Sequence, residues 1–252
     1  MIEGIERIER DGVIEIHIDR PEKKNALTAA MYDGMTAALD EASARADVGV
    51  VLITGRGGVF CAGNDLKDFM AGPAGGAAAF RFVQTIAALE KPLIAAVQGL
   101  AVGIGTTMLM HCDLVYAAPD ARFIMPFVDL GLVPEAGSSL LAPAIMGRGR
   151  AAAMLMLGEP MNAAQAERAG LVAEVVDADD LIDHARGKAA LLMRKPPRAL
   201  AATRRLLRGD PALLNARMEE EVTLFRQALQ GDEAQEAFAA FFEKRAPIFN
   251  RD

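Results

Sequence analysis

Leu93-Ile94-Ala95-Ala96-Val97-Gln98-Gly99-Leu100-Ala101-Val102-Gly103-Ile104-Gly105-Thr106-Thr107-Met108-Leu109-Met110-His111-Cys112 runs for 20 residues without a charge. That length reaches across a bilayer, but Gln98, His111, two threonines and three glycines make a poor face for lipid. The stretch reads instead as a buried strand over Leu93–Val97, a glycine loop, and a buried helix, with Lys91-Pro92 separating it from what precedes. Neighbouring segments have the same character. Val48 to Thr54 (VGVVLIT) is a second buried strand, stopped by Gly55, Gly57 and Gly58, and Asp113 to Ala117 (DLVYA) is a third. Ile14, Ile16 and Ile18 alternate with Glu15, His17 and Asp19, which predicts a strand with one wet face, His17 on it. Between strands, Met31, Met35, Leu39 and Ala42 recur at helical spacing from Thr28 to Ala46, with Thr28 as N-cap, and Phe80 to Leu89 reads as a helix. Strands alternating with helices predict an α/β layered fold.

The chain has 252 residues, 52% hydrophobic and 24% charged, enough apolar content to build a core and too much for disorder. Its net charge of −7 argues against a nucleic-acid partner, which requires a basic face. Two cysteines, Cys61 and Cys112, make no disulfide framework and suit a reducing compartment. The charged first twenty residues contain no signal-peptide core, and Asn250-Arg251-Asp252 matches no lipidation signal. A soluble, cytoplasmic protein without membrane contact is expected. After Lys195-Pro196-Pro197 the pattern is helical from Ala199 to Arg245, which divides the chain into a core over 1–195 and a helical region over 196–252. Ala71 to Ala79 (AGPAGGAAA) has no packing side chains and reads as a mobile loop.

Several chemistries fail on their residues. Ser138 and Ser139 lie beside glycine, but the G-x-S-x-G elbow is absent, and only His17, His111 and His184 are available as bases. No two of these histidines have metal-ligand spacing, so no metal is expected. Gly103-Ile104-Gly105 lacks the third glycine of a dinucleotide loop, since residue 108 is Met. Two segments carry more. Phe60-Cys61-Ala62-Gly63-Asn64-Asp65-Leu66-Lys67 and Gln98 to Gly105 both follow buried strands, and small residues there permit close backbone approach to a ligand. Backbone N–H groups at two such strand ends form an anion hole.

FCAGNDLK, KPLIAAVQGLAVGIGTTMLMHCDLVYA and GEPMNAAQAERAGLVAEVV, in that order, resemble the crotonase (enoyl-CoA hydratase/isomerase) superfamily from about Ile5 to Arg245. The resemblance implies a crotonase (ClpP-like) α/β spiral of ββα repeats. It also implies a helical C-terminal trimerisation region, and a homotrimer or dimer of trimers. The implied substrate is an acyl-CoA thioester, with coenzyme A part of the substrate and no separate cofactor. The thioester oxygen would sit between the backbone N–H groups of Asn64 and Ile104.

The departures from the family narrow the chemistry. Typical hydratases carry two glutamates that handle water; their positions here hold Thr107 and Phe127. A different carboxylate, Glu135, stands where hydratases usually have glycine, in Leu130-Gly131-Leu132-Val133-Pro134-Glu135-Ala136-Gly137-Ser138-Ser139. This is similar to the Δ3,Δ2-enoyl-CoA isomerase branch, in which one glutamate performs all the proton transfer. Phe127, Leu132 and Pro134 would then line the acyl pocket, Asp129 is a nearby acid with a structural or solvated role, and Ser138 and Ser139 either orient Glu135 or cap a helix. A carboxylate among Phe127, Leu130, Val133 and Leu141 is expected to have a raised pKa if desolvated.

For coenzyme A, the resemblance points to Lys24, Ala26 and Leu27 in KKNAL, to Ala62, Asp65, Leu66 and Lys67 around the GND motif, and to Phe241 and Lys244 in FFEKR, which would meet the nucleotide of a neighbouring subunit. Two other enzymatic readings compete: hydration through Glu135 alone, and another crotonase-type acyl-CoA isomerisation such as that of ring-derived acyl groups. An inert acyl-CoA-binding scaffold is the non-enzymatic one.

Overall fold

A computed structural model describes residues 2–67 and 73–249. Nine strands form two sheets among the described residues. The larger has six strands in the order β1 (Ile5–Arg10), β2 (Val13–Ile18), β3 (Val50–Gly55), β4 (Leu93–Val97), β6 (Leu114–Ala117), β9 (Glu174–Val175). Only the β1–β2 pair in it is antiparallel. The smaller sheet joins β5 (Leu100–Val102), β7 (Arg122–Ile124) and β8 (Met161–Asn162).

The chain visits the two sheets alternately. β4 lies in the large sheet and β5 in the small one; β6 and β7 repeat the step. Isolated parallel bridges, Leu27 to Asn64 and Cys61 to Ala101, carry the second layer back to the earlier turns. This is the crotonase-type spiral of ββα turns. Its buried strands lack polar alternation because both faces of the large sheet are covered.

One face packs on α1 (Ala29–Ala44) and α2 (Pro73–Ala88), with Tyr32, Met35, Leu39, Phe82 and Ile86 buried against Ile14, Ile16 and Ile53. Thr28 caps α1, accepting a hydrogen bond from the Met31 N–H at 3.3 Å. The other face is covered by α7 (Leu181–Met193), whose Leu181, Ala185 and Ala189 pack on Val50, Leu52, Ile94 and Tyr116. The expected wet face of β2 is therefore dry. Glu15 and His17 are each 1% exposed, because Arg186 of α7 comes down onto them. It donates to both Glu15 oxygens at 2.8 Å, and His17 Nε2 meets the same carboxylate at 2.8 Å. Alternation marks which side chains share a face, but not whether a distant helix covers that face.

The small-residue stretch read as a mobile loop is helical from Pro73 onward, while Ala71 and Gly72 lie outside the described residues. Proline suits the first helical turn and alanine is the best helix former, so a run without bulky side chains still makes a helix. Ala78 of this helix is buried against the core.

Beyond β5 come α3 (Ile104–Thr107), continued as a 3-10 turn over Met108–His111, then α4 (Ser138–Met146), α5 (Arg148–Leu157) and α6 (Ala163–Ala169). The chain continues into α8 (Pro197–Arg208), α9 (Pro211–Leu229) and α10 (Asp232–Glu243), of which α9 and α10 fold back over the mouth of their own spiral. No helix among the described residues is long and apolar enough to cross a membrane.

Candidate active site

The spiral sets Asn64 beside Ile104. Cys61 N–H donates to the Leu100 carbonyl and Val102 N–H to the Cys61 carbonyl, both at 2.9 Å, so the two segments run in parallel register. Three residues beyond the paired Cys61 and Ala101 come Asn64 and Ile104. Gly105 is required here, since a Cβ on it would lie 2.6 Å from the Cys61 carbonyl oxygen. Gly103, at φ 54°, turns the chain from β5 into α3. Among the described residues no acceptor pairs with the backbone N–H of Asn64 or Ile104. The Asn64 side chain is held, its Oδ1 accepting from the buried Tyr32 hydroxyl at 2.5 Å.

Glu135 enters from the loop before α4. That loop is fixed at its backbone: Ser138 Oγ donates to the Glu135 carbonyl at 2.6 Å, and His111 Nε2 meets the Ala136 carbonyl at 2.8 Å. Burial lowers the His111 pKa to about 4, so its imidazole is neutral and donates this hydrogen bond. Ser138 thus orients the backbone of Glu135 and not its carboxylate. Ser139 looks elsewhere, donating from its hydroxyl to Glu221 Oε1 at 2.5 Å. Glu221, a buried residue of α9, also accepts the N–H groups of Gly137 at 2.6 Å and Ser139 at 2.9 Å, and so caps α4 from across the fold.

The Glu135 carboxylate has one hydrogen-bond donor among the described residues, Thr107 Oγ1 at 2.5 Å from Oε1. Burial raises its pKa to about 7; the Thr107 hydrogen bond opposes that rise and the charge of Glu221 adds to it. The expectation of a raised pKa follows from this setting. Burial likewise pushes the Cys61 thiol up to about 12 and the Tyr32 phenol well above its ordinary value, so neither ionises near neutrality.

Two cavities meet at this point, of about 610 and 600 Å³, and Asn64, Ile104 and Glu135 line both. The first is walled by Tyr32, by Phe80 and Val83 of α2, and by Met218, Val222 and Leu229 of α9. Among the described residues that line it, Glu135 is the only carboxylate. The second opens past Lys23, Ala26, Ala62, Leu66 and Lys67 toward Phe241 and Phe242.

Of the residues singled out for coenzyme A, Ala26, Ala62, Asp65, Leu66, Lys67 and Phe241 line this second cavity. Asp65 does so with its carboxylate tied to Arg20 at 2.7 Å. Lys24, Leu27 and Lys244 do not line it. Leu27 is buried in the core and acts through its backbone, donating to the Gly63 carbonyl and accepting from Asp65 N–H. Phe241, expected to meet a neighbouring subunit's nucleotide, borders the cavity of its own chain because α10 folds back on the core. Phe127 and Leu132, expected around the acyl group, line the second cavity and not the first, and Pro134 lines neither. Asp129 is exposed and outside both. The α2 and α9 walls of the first cavity carry no motif; only the helical spacing of their apolar residues marks them. Among the described residues no group of three His, Cys, Asp or Glu side chains is placed to hold a metal ion.

Residues 8–252 match the enoyl-CoA hydratase/isomerase family model. A probable enoyl-CoA hydratase of Mycobacterium bovis is 35% identical over 249 residues, covering 97% of this chain and 96% of that one. The rat protein named enoyl-CoA delta isomerase 2 is 35% identical over 254 residues, covering 97% of this chain and 65% of that one. A crystal structure of an enoyl-CoA hydratase/isomerase from Pseudoalteromonas atlantica superposes with a TM-score of 0.95 at 38% identity, covering 98% of this chain and all of that one. The chain belongs to the enoyl-CoA hydratase/isomerase family of the crotonase superfamily, and is an enzyme of that class.

Proposed function

We propose that this enzyme is a Δ3,Δ2-enoyl-CoA isomerase. The observation that carries the reading is the arrangement at the junction of the cavities. Glu135, with a pKa of about 7, faces a space shared with the free N–H groups of Asn64 and Ile104, while Thr107 and Phe127 occupy the positions of the hydratase glutamates.

Glu135 removes a proton from C2 of a 3-enoyl thioester. The electron pair delocalises over the C3–C4 double bond and the carbonyl, giving a dienolate whose charge collects on the thioester oxygen. The Asn64 and Ile104 N–H groups stabilise that charge, each by about 3–4 kcal/mol if they act as oxyanion-hole donors do elsewhere. Glu135, now a carboxylic acid, returns the same proton to C4, leaving the double bond between C2 and C3. A carboxyl group with a pKa near neutrality takes and gives a proton with little penalty in either direction. No water is consumed and no electrons leave the substrate, so the stoichiometry calls for no cofactor. The first cavity suits the acyl chain; the second, with Lys23 and Lys67 at its edge, suits the phosphate-bearing coenzyme A. Leu206 and Leu207 of α8 and Leu213 of α9, all well exposed on one chain, support a trimer or dimer of trimers formed through the C-terminal helices.

The test is a side-by-side assay on 3-hexenoyl-CoA and crotonyl-CoA. Conjugation raises thioester absorbance and hydration lowers it. Conversion of the 3-enoyl substrate with negligible hydration is the expected result, and dominant hydration overturns the assignment.

A further inference from the structure

We propose that Arg226 forms a subsite for an anionic group at the far end of the acyl chain, which makes ω-carboxyacyl-CoA thioesters the preferred substrate class; this rests on the isomerase reading above. The helix α9 passes the catalytic loop at Leu214 and Met218, both of which crowd the space beside Gly137. Arg226 lies eight residues beyond Met218, about 12 Å along the helix axis at 1.5 Å per residue. Met218 and Arg226 line the same cavity, and between them on its wall stand Val222 and Phe225. The lining is thus apolar through its middle. Its polar side chains fall in two groups: Tyr32, Asn64 and Glu135 around the reacting end, and Arg226 of α9, Gln230 just past its end and Gln235 of α10.

The guanidinium of Arg226 sits over the Phe80 ring, 5.8 Å from its centroid, so α2 and α9 meet at this end of the cavity through a cation–π contact. Among the described residues no carboxylate pairs with Arg226 and no acceptor takes its N–H groups, in a chain whose acidic residues outnumber its basic ones by 34 to 27. Arg226 is an exposed residue at this end of the cavity, and a hydrocarbon tail reaching it would gain nothing from the cation. A carboxylate would accept two parallel N–H bonds from the planar fork.

The experiment compares kcat/KM for two 3-enoyl-CoA substrates of equal chain length, one ending in a methyl group and one in a carboxylate, on the wild type and on Arg226→Met and Arg226→Lys. The expected result is a wild-type preference for the carboxylate. Arg226→Met should lower turnover of that substrate alone by about ten- to a hundredfold, the loss typical of a hydrogen bond to a charged group, and Arg226→Lys should restore part of it. Equal losses on both substrates would assign Arg226 to the coenzyme A phosphates and overturn the proposal, as would no loss on either. The same comparison is made by calorimetric binding of the two saturated acyl-CoA analogues, which need no chemistry. A carboxylate preference in Kd that vanishes in Arg226→Met upholds the subsite even if isomerisation fails, whereas equal Kd values refute it even if isomerisation is observed.

Discussion

The hydroxyl of Thr107 donates to Oε1 of Glu135 at 2.5 Å, joining the residue that replaces one hydratase glutamate to the carboxylate proposed as the acid–base group. A hydrogen bond to a carboxylate favours its ionised form, and this one restrains a pKa that burial pushes up. Thr107→Val keeps the shape and removes the donor. The midpoint of the kcat/KM against pH curve should then move above its wild-type position near pH 7, with activity at neutral pH falling several-fold and recovering at alkaline pH. A midpoint that stays in place would mean that the contact is not made in the working enzyme.

Glu221 acts on the same carboxylate with opposite sign. Its charge raises the Glu135 pKa, while its oxygens hold the Gly137 and Ser139 N–H groups at the start of α4. Glu221→Gln should move the pH midpoint downward and cost about 1 kcal/mol or more of stability through the weakened cap. A pH titration of turnover beside a thermal melt checks both halves. The two variants shifting the same way would refute the electrostatic account.

Glu135→Gln separates catalysis from folding. Turnover should fall at least about 10²–10⁴-fold, the range for positioned acid–base groups, with acyl-CoA binding nearly unchanged. Stability should move the other way at high pH. The folded-state pKa of about 7 lies above the ordinary glutamate value of 4.5, so the stability contributed by the protonated carboxyl is complete below about pH 4.5 and is lost as pH rises through 7. The glutamine variant does not ionise. It should be more stable than the wild type at pH 8 by up to about 3 kcal/mol, and little different at pH 4. Equal melting temperatures at pH 8 would indicate that Glu135 is well hydrated in the folded enzyme.

Glu135, Asn64 and Ile104 are reached through the resemblance to the family's short motifs, and the fold brings the three to the junction of the two cavities. β4 and the buried helix beyond it were legible because an uncharged run broken by glycines admits few other readings, whereas β5 lies inside the stretch that reads as a glycine loop, because its three residues are too few to show a period. The burial of Glu15 and His17 was not, because the helix that covers them starts at Leu181, far along the chain. Nor was the acyl wall. Met218, Val222 and Phe225 read as an ordinary helical face until the topology lays α9 across the catalytic loop. Ala71 to Ala79 misled for a local reason: a lack of large side chains says nothing against a helix when alanine dominates, and the residues from Pro73 are helical.

Tyr32 tests how rigid the oxyanion site must be. Its hydroxyl, buried beneath α2, holds the Asn64 side chain at 2.5 Å, and the Asn64 N–H is one of the two donors proposed for the thioester oxygen. If only that N–H mattered, Asn64→Ala would cost little. The hydrogen bond makes the side chain the tether that sets the donor's direction, so both Tyr32→Phe and Asn64→Ala should lower kcat by about fivefold, the equivalent of one hydrogen bond of about 1 kcal/mol. KM should change less than kcat, because a misaimed donor fails most where charge develops on the oxygen. The double variant should lose no more than either single one, since both break the same contact. Additive losses would give Tyr32 a separate role, as a donor to the acyl group across the cavity from Glu135.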